Sequence, residues 1–173
     1  MFPNYIYDPT VTRDLDREIR ELLGLCFSDE TFRYQRFNYE LPAHRWILRN
    51  AAGALVAQVA VHDKRLGTEA GEVRVAGVAE VCVHPDERGK GYMRLLLEQA
   101  HRWCREQGML FSTLFGISEI YGTFGYLPKK NPLFFFNVNT GSWKQESFSR
   151  FQVLPLTAQE WPHGRIDLHG PKY

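Results

Sequence analysis

The chain predicts an α/β (α+β) domain: a central mixed, mostly antiparallel sheet flanked by helices. Three observations carry that prediction. The run from about Gly91 to Gln107 has helical apolar spacing, strand-like runs lie on both sides of it, and glycines and prolines punctuate the joins. The 173 residues form one expected domain over 1–173, long enough to bury a core without disulfide or metal staples. No internal repeat or low-complexity segment interrupts it.

Asp14 to Cys26 places Leu15, Ile19, Leu22, Leu23 and Cys26 at helical spacing behind an acidic first turn, with Gly24 near the end. Ser28-Asp-Glu reads as a second helix start, and Thr31 to Phe37 is a short helix or an irregular lid. His44 to Arg49 and Ala54 to His62 read as strands joined by a hairpin at Asn50-Ala-Ala-Gly53. Lys64 to Gly71 is expected as a polar loop. Glu72 to His84 is a long strand in which Gly77 suggests a bulge.

In the helix from Gly91, the line Leu96, Ala100 and Trp103 faces inward while Arg94, Glu98, Arg102 and Arg105 face water, and Gly108 is the expected stop. Met109 to Phe115 is a buried strand, and Ser118 to Phe124 a short helix ended by Gly125. Leu133 to Val138 and Phe148 to Leu154 are a final strand pair. The polar tail, 155–173, is expected to be partly mobile.

Net charge is +1, so no global field draws the chain to nucleic acid or to an anionic membrane. Three cysteines (Cys26, Cys82 and Cys104), odd in number and without a CxxC pair, argue against a disulfide framework. The first residues lack the basic-then-apolar pattern of a signal peptide, and no apolar run approaches the ~20 residues that span a bilayer. A cytoplasmic protein is the expectation. Six histidines show no HExxH or paired spacing, so no metal site is expected.

The most informative segment is Val81-Cys-Val-His-Pro-Asp-Glu-Arg-Gly-Lys-Gly-Tyr-Met93. It runs from a strand through a charged loop with two glycines into the long helix. Glycine lets the backbone approach a ligand, and the first N–H groups of a helix have no internal partners. They also sit at the positive end of the helix dipole, equivalent to about half an elementary charge. Strand, loop and helix start together suit a pyrophosphate. A Walker loop needs Ser or Thr after Gly-Lys, and Gly91 stands there. The dinucleotide fingerprint needs a small residue where Arg94 stands. A strand-to-helix join with glycines serving only turn geometry is the bland alternative.

The wider pattern, with valines at 81 and 83, Pro85, then Arg88, Gly91 and Leu96, resembles the signature of the GNAT acyltransferase superfamily, whose core is Gln/Arg-x-x-Gly-x-Gly/Ala. Downstream, Ile120-Tyr-Gly-Thr-Phe-Gly-Tyr126 is similar to that family's Tyr-x-x-x-Gly-Phe/Tyr segment, at the family's interval. The resemblance covers about residues 72 to 128, and Met93 departs from it where the family has Gly or Ala. Ser118-Glu-Ile-Tyr-Gly122 looks like the N-terminal domain of enhanced-intracellular-survival-type acetyltransferases, which are much longer.

The resemblance implies a sheet splayed at the cofactor site and direct acetyl transfer from acetyl-CoA to a primary amine of a small molecule or peptide. It implies that the backbone of Val81, Cys82 and Val83 pairs with the pantetheine arm, and that Arg88, Gly89, Lys90, Gly91, Tyr92 and Met93 cradle the pyrophosphate. Tyr121 is implied as the general acid; a phenol near ~10 can reprotonate a thiolate near ~8.5. A packed aromatic is its structural alternative. Glu80 is a candidate base, directly or through water, and a rim carboxylate paired with an arginine is the rival role. A terminal carboxylate at Tyr173 is another candidate base. Cys82 reads as core, because GNAT transfer is direct and no His or Asp arrangement accompanies it.

Two classes of function stay open at this point: an N-acetyltransferase, and a CoA-binding module without turnover. Transfer of a longer acyl group is a variant of the first. The acceptor-facing segments, roughly 27–41 and 134–151, are aromatic and lack an acidic cluster, which favours an apolar or mixed amine over a polycation. The aromatic C-terminal strands could also form a homodimer face.

Overall fold

The computed structural model describes residues 2–173, and the chain gathers into two compact units. One comprises residues up to His62 together with Val78–Arg102; the other comprises Asp63–Gly77 and Trp103–Tyr173.

In the first unit, β1 (Asn4–Tyr7), β2 (His44–Arg49) and the first part of β3 (Leu55–Thr68) form an antiparallel meander with Ile6 opposite Arg45 and Arg45 opposite Ala60. Helix α1 (Arg13–Cys26) begins where Thr12 Oγ1 accepts the Leu15 N–H at 3.4 Å, and Asp14 and Asp16 occupy its first turn. Its apolar stripe, Ile19, Leu22 and Leu23, packs with Phe32, Ile47, Leu55 and Cys82. Burying side chains of this size contributes about 1.5–3 kcal/mol each. The last part of β4 (Gly71–Val83) and most of α2 (Tyr92–Glu106) complete this unit.

In the second unit, the start of β4 pairs in parallel with β5 (Phe111–Phe115), from Val75 opposite Phe111 to Gly77 opposite Thr113. That ladder covers three residues and leaves Glu80 to Val83 outside it. β9 (Phe151–Pro155) runs antiparallel to β5 and to β6 (Leu127–Pro128). β7 (Leu133–Asn137) forms a hairpin with β8 (Ser142–Glu146), and β10 (Ile166–Asp167) lies parallel to β7 and antiparallel to the end of β3. Between β5 and β6 stands the one-turn helix α3 (Ser118–Tyr121). The core of this unit joins Leu66, Val75, Phe111, Phe135, Phe151 and Trp161. Gly108, at φ +74°, ends α2: its N–H bonds the Arg105 carbonyl, and the Met109 N–H bonds that of Cys104.

Three expectations change. The segment 64–68 is strand rather than loop: Lys64 and Leu66 are buried while Asp63 and Arg65 are exposed, a period of two that the polar composition hid. The irregularity of β4 falls at Glu80, with φ +46°, instead of Gly77. Gly77 is small for a different reason, since a Cβ there would stand 2.9 Å from the Tyr173 ring. Finally, the strand starting at Leu133 pairs with β8 and β10, and the strand at 151–155 pairs with β5 and β6. The turn ending at Gly141, φ +64°, sets the first of these pairings. The segment 155–173 contains β10 and buries Trp161, Leu168 and Tyr173.

Candidate active site

An ionic network with a fully buried core lies within the first unit. Asp8 closes β1, and its carboxylate accepts from two arginines: Arg45 Nε at 2.5 Å and Arg36 Nε at 3.0 Å. Arg36 also binds Asp16 at 2.9 Å, and Arg45 Nη2 bonds the Arg36 carbonyl at 3.2 Å. Arg45 Nη1 donates to Gln58 Oε1. Gln58 Nε2 in turn donates to the Glu80 carbonyl at 2.9 Å. Asp8, Arg45 and Gln58 are each 0% exposed. Buried charges persist only when paired and hydrogen-bonded, and here every link is made.

This network fixes Glu80. A non-glycine residue at φ +46° is strained by crowding of its Cβ, and the Gln58 amide holds the peptide that carries the strain. The Glu80 side chain is 4% exposed. Its Oε1 accepts the Asn38 backbone N–H at 3.1 Å. Its Oε2 is buried, has no hydrogen-bond partner, and lies 4.0 Å from Arg45 Nη2. Burial raises this carboxyl to about 7; Arg45 and the Asn38 N–H oppose the rise, and the Asp8 charge adds to it. A carboxylate that gains its proton near neutrality, with one free buried oxygen, has the properties of a general base.

Glu80 leads directly into the remaining predicted residues of this unit. Val81 and Val83 are half-buried, and Cys82 packs in the core cluster. The Val83 carbonyl is already engaged, accepting from Cys26 Sγ and from Arg88 Nε, each at 3.3 Å. Pro85–Glu87 form one turn, with His84 Nδ1 accepting the Asp86 N–H at 3.3 Å. Gly89 and Gly91 both take φ +78°, which L side chains rarely adopt. A Cβ built on either meets nothing within 4 Å, so the backbone here faces open space. No acidic residue lies in the first turn of α2 to neutralise its dipole. Left-handed glycines before a helix start orient successive N–H groups outward, a donor set that fits a pyrophosphate. Lys90 is exposed and pairs with Glu87 at 2.6 Å, and Tyr92 and Met93 are half-buried in the opening turn.

In the second unit, Tyr121 closes α3. Its ring lies over Gly116, where a built Cβ would stand 2.3 Å from Cε2, and it meets Tyr126 edge-on with centroids 5.9 Å apart. Tyr126 is held in turn by a 2.6 Å bond between its hydroxyl and Ser112 Oγ. The Tyr173 side chain is buried, with its hydroxyl bonded to Thr113 Oγ1. Sequence reasoning missed Cys26, whose thiol is lowered to about 6. The neighbouring Cys82 thiol is the main cause, with Arg88 and His84 adding to it against the effect of burial. Its only sequence signal was a place on the apolar stripe of α1. No group of three or more metal-ligating side chains assembles among the described residues.

A buried carboxylate beside a glycine loop that opens a helix is an arrangement that suits an acyltransferase. The family model of the acetyltransferase (GNAT) domain matches residues 10–128, and the chain belongs to that family. A search of curated proteins gives no significant match. Among solved structures, the chain is similar to a GNAT family N-acetyltransferase from Escherichia coli in complex with CoA. The TM-score is 0.70 at 17% identity, covering 97% of this chain and 89% of that one. A GNAT family acetyltransferase from Brucella melitensis in complex with acetyl-CoA gives a TM-score of 0.63 at 16% identity, covering 95% and 94%. Eis1 from Mycobacterium abscessus gives 0.60 at 13% identity; 76% of this chain matches 33% of that protein. At these identities the likeness shows the fold. Among the described residues no helix is long and apolar enough to cross a membrane.

Proposed function

We propose that this GNAT-family chain transfers an acetyl group from acetyl-CoA directly to a primary amine of a small molecule or peptide, in the cytoplasm. The observation that carries the proposal is Glu80: a buried carboxylate raised to about 7, one oxygen unpartnered, one residue before the strand segment and glycine loop that suit a CoA ligand. The N–H groups around Gly89, Gly91, Tyr92 and Met93 hold the pyrophosphate, and the backbone of Val81 to Val83 aligns the pantetheine arm. Because the Val83 carbonyl is taken by Cys26 and Arg88, that alignment falls to the other backbone groups of the segment. Acetyl-CoA supplies the activated thioester.

Glu80 accepts the proton of the incoming ammonium, directly or through water, at its free Oε2. Arg45 stays 4.0 Å away because Asp8 holds it, so Glu80 is not locked in a tight ion pair. Tyr121 serves as general acid, its ring seated by the absence of a side chain at Gly116. The likeness to enhanced-intracellular-survival-type enzymes rests on the Ser118–Gly122 motif and the fold, and the chain spans about a third of the length of Eis1. The acceptor is an apolar or mixed amine, and association of copies through the aromatic β7–β8 hairpin belongs to the same proposal.

Free thiol released from acetyl-CoA across a panel of amines tests this. Amine-dependent release that Glu80→Gln abolishes supports it. Tight acetyl-CoA binding without turnover on any amine replaces it with the CoA-binding module.

A further inference from the structure

Three phenylalanines of the second unit surround a single ammonium. Lys172 Nζ lies 4.5 Å from the ring centroid of Phe148, 5.2 Å from Phe135 and 6.0 Å from Phe115. The rings brace one another: Phe148 meets Phe115 at 5.6 Å and Phe135 at 5.5 Å, both edge to face. Phe135 is fully buried, and Phe115 and Phe148 are half-buried, so the cage has a closed floor and an open side. Among the described residues Lys172 has no carboxylate partner and its Nζ makes no hydrogen bond.

The backbone on both sides of Lys172 is tied down. The Phe136 N–H bonds the Gly170 carbonyl at 2.8 Å, and the Tyr173 ring lies on Gly77 with its hydroxyl on Thr113. Emptying the cage therefore needs only a side-chain rotation of Lys172, with the strand and terminal anchors left in place.

We propose that Phe115, Phe135 and Phe148 form a binding site for an alkylated ammonium, and that the Lys172 side chain is an internal occupant which such a ligand displaces. Each ring attracts a cation within about 6 Å of its centroid through its negative face. A lysine ammonium is compact and strongly hydrated, with three N–H donors that ring faces satisfy poorly and that lose water on entry. A tertiary or quaternary ammonium has one such donor or none, and its methyl groups spread over the rings as apolar contacts. Without a carboxylate, the cage has no feature that favours a primary ammonium over an alkylated one. Binding here is measured with no acetyl donor present, so its outcome does not depend on acetyl transfer.

The test is an NMR titration with tetramethylammonium chloride, following the ligand methyl resonance, against ammonium chloride at equal ionic strength. The expected result is binding at least ~10-fold tighter in Lys172→Ala than in the wild type, with the methyl signal shifted upfield by the ring faces. Lys172→Gln, of similar length but uncharged, gives the same direction of change. Phe148→Trp tightens binding, and Phe148→Leu combined with Lys172→Ala loses it. Equal affinity in wild type and both Lys172 variants overturns the proposal, as does ammonium binding as well as tetramethylammonium. Binding that survives Phe148→Leu overturns it too.

Discussion

The two units of this chain hold their candidate site residues by opposite means. In the first, buried charge does the placing: Asp8, Arg45 and Gln58, all inaccessible to water, form a chain of hydrogen bonds that ends on the strained Glu80 peptide. In the second, rings and hydroxyls do it: Tyr121 rests on Gly116 and Tyr126, and Tyr126 and Tyr173 bond to Ser112 and Thr113. The difference has a chemical consequence. Burial raises the Glu80 carboxyl to about 7, with the Arg45 charge and the Asn38 N–H opposing the rise. Burial pushes Tyr126 and Tyr173 up, against the hydrogen bonds to Ser112 and Thr113, and keeps those phenols protonated. The first environment suits taking a proton and the second suits keeping one to give.

Removing the shared carboxylate tests the contrast most severely. Asp8→Asn leaves Arg45 buried without its close counter-charge while Arg36 keeps Asp16, and a loss of about 3–5 kcal/mol is expected in denaturant unfolding. Retained stability would mean that water reaches the network. Next comes Glu80→Gln, for which kcat/KM for amine acetylation falls ~10³-fold while acetyl-CoA still raises the melting temperature.

The same substitution has the opposite sign for stability. Raised from 4.5 to about 7, Glu80 favours the fold while protonated. That contribution is complete below 4.5 and is lost as pH rises through 7. Above that, a buried carboxylate disfavours the folded state by roughly 3 kcal/mol. Glu80→Gln should therefore be more stable than the wild type at about pH 8, with the gap closing toward about pH 4, as read from unfolding curves across pH.

Smaller effects belong to the ring-built unit. Tyr121→Phe is expected to lower kcat ~10²-fold with acetyl-CoA affinity unchanged. Unchanged turnover would return Tyr121 to a packing role. Gly116→Ala pushes a methyl group into the Tyr121 ring and should cost roughly tenfold in kcat through misplacement alone. In the Tyr121→Phe background Gly116→Ala should add little further loss, because there is then no acid left to misplace.

How much of this was legible in the sequence depends on the range of the interactions. Helix α2 is marked locally by its period and by Gly108, and it forms within one residue of expectation at each end. The glycine cradle is also local: Gly89 and Gly91 have the backbone that their identity permits. The Asp8–Arg45–Gln58 network joins residues 37 and 13 positions apart, and no period or motif marks it. Glu80 was visible as a candidate, but its positive φ, its burial and the rise in pKa that burial causes, against Arg45 and the Asn38 N–H, exist only in the folded chain. The strand character of 64–68 was obscured because Lys64 counts as polar although it is buried, with its ammonium 5.7 Å from the Tyr173 ring centroid.

The most direct test of the account is a carbon-13 NMR titration of the Glu80 carboxyl in the intact protein. The buried network predicts a midpoint at about 7. A midpoint at the ordinary value of 4.5 would contradict it and remove Glu80 as a base tuned by burial.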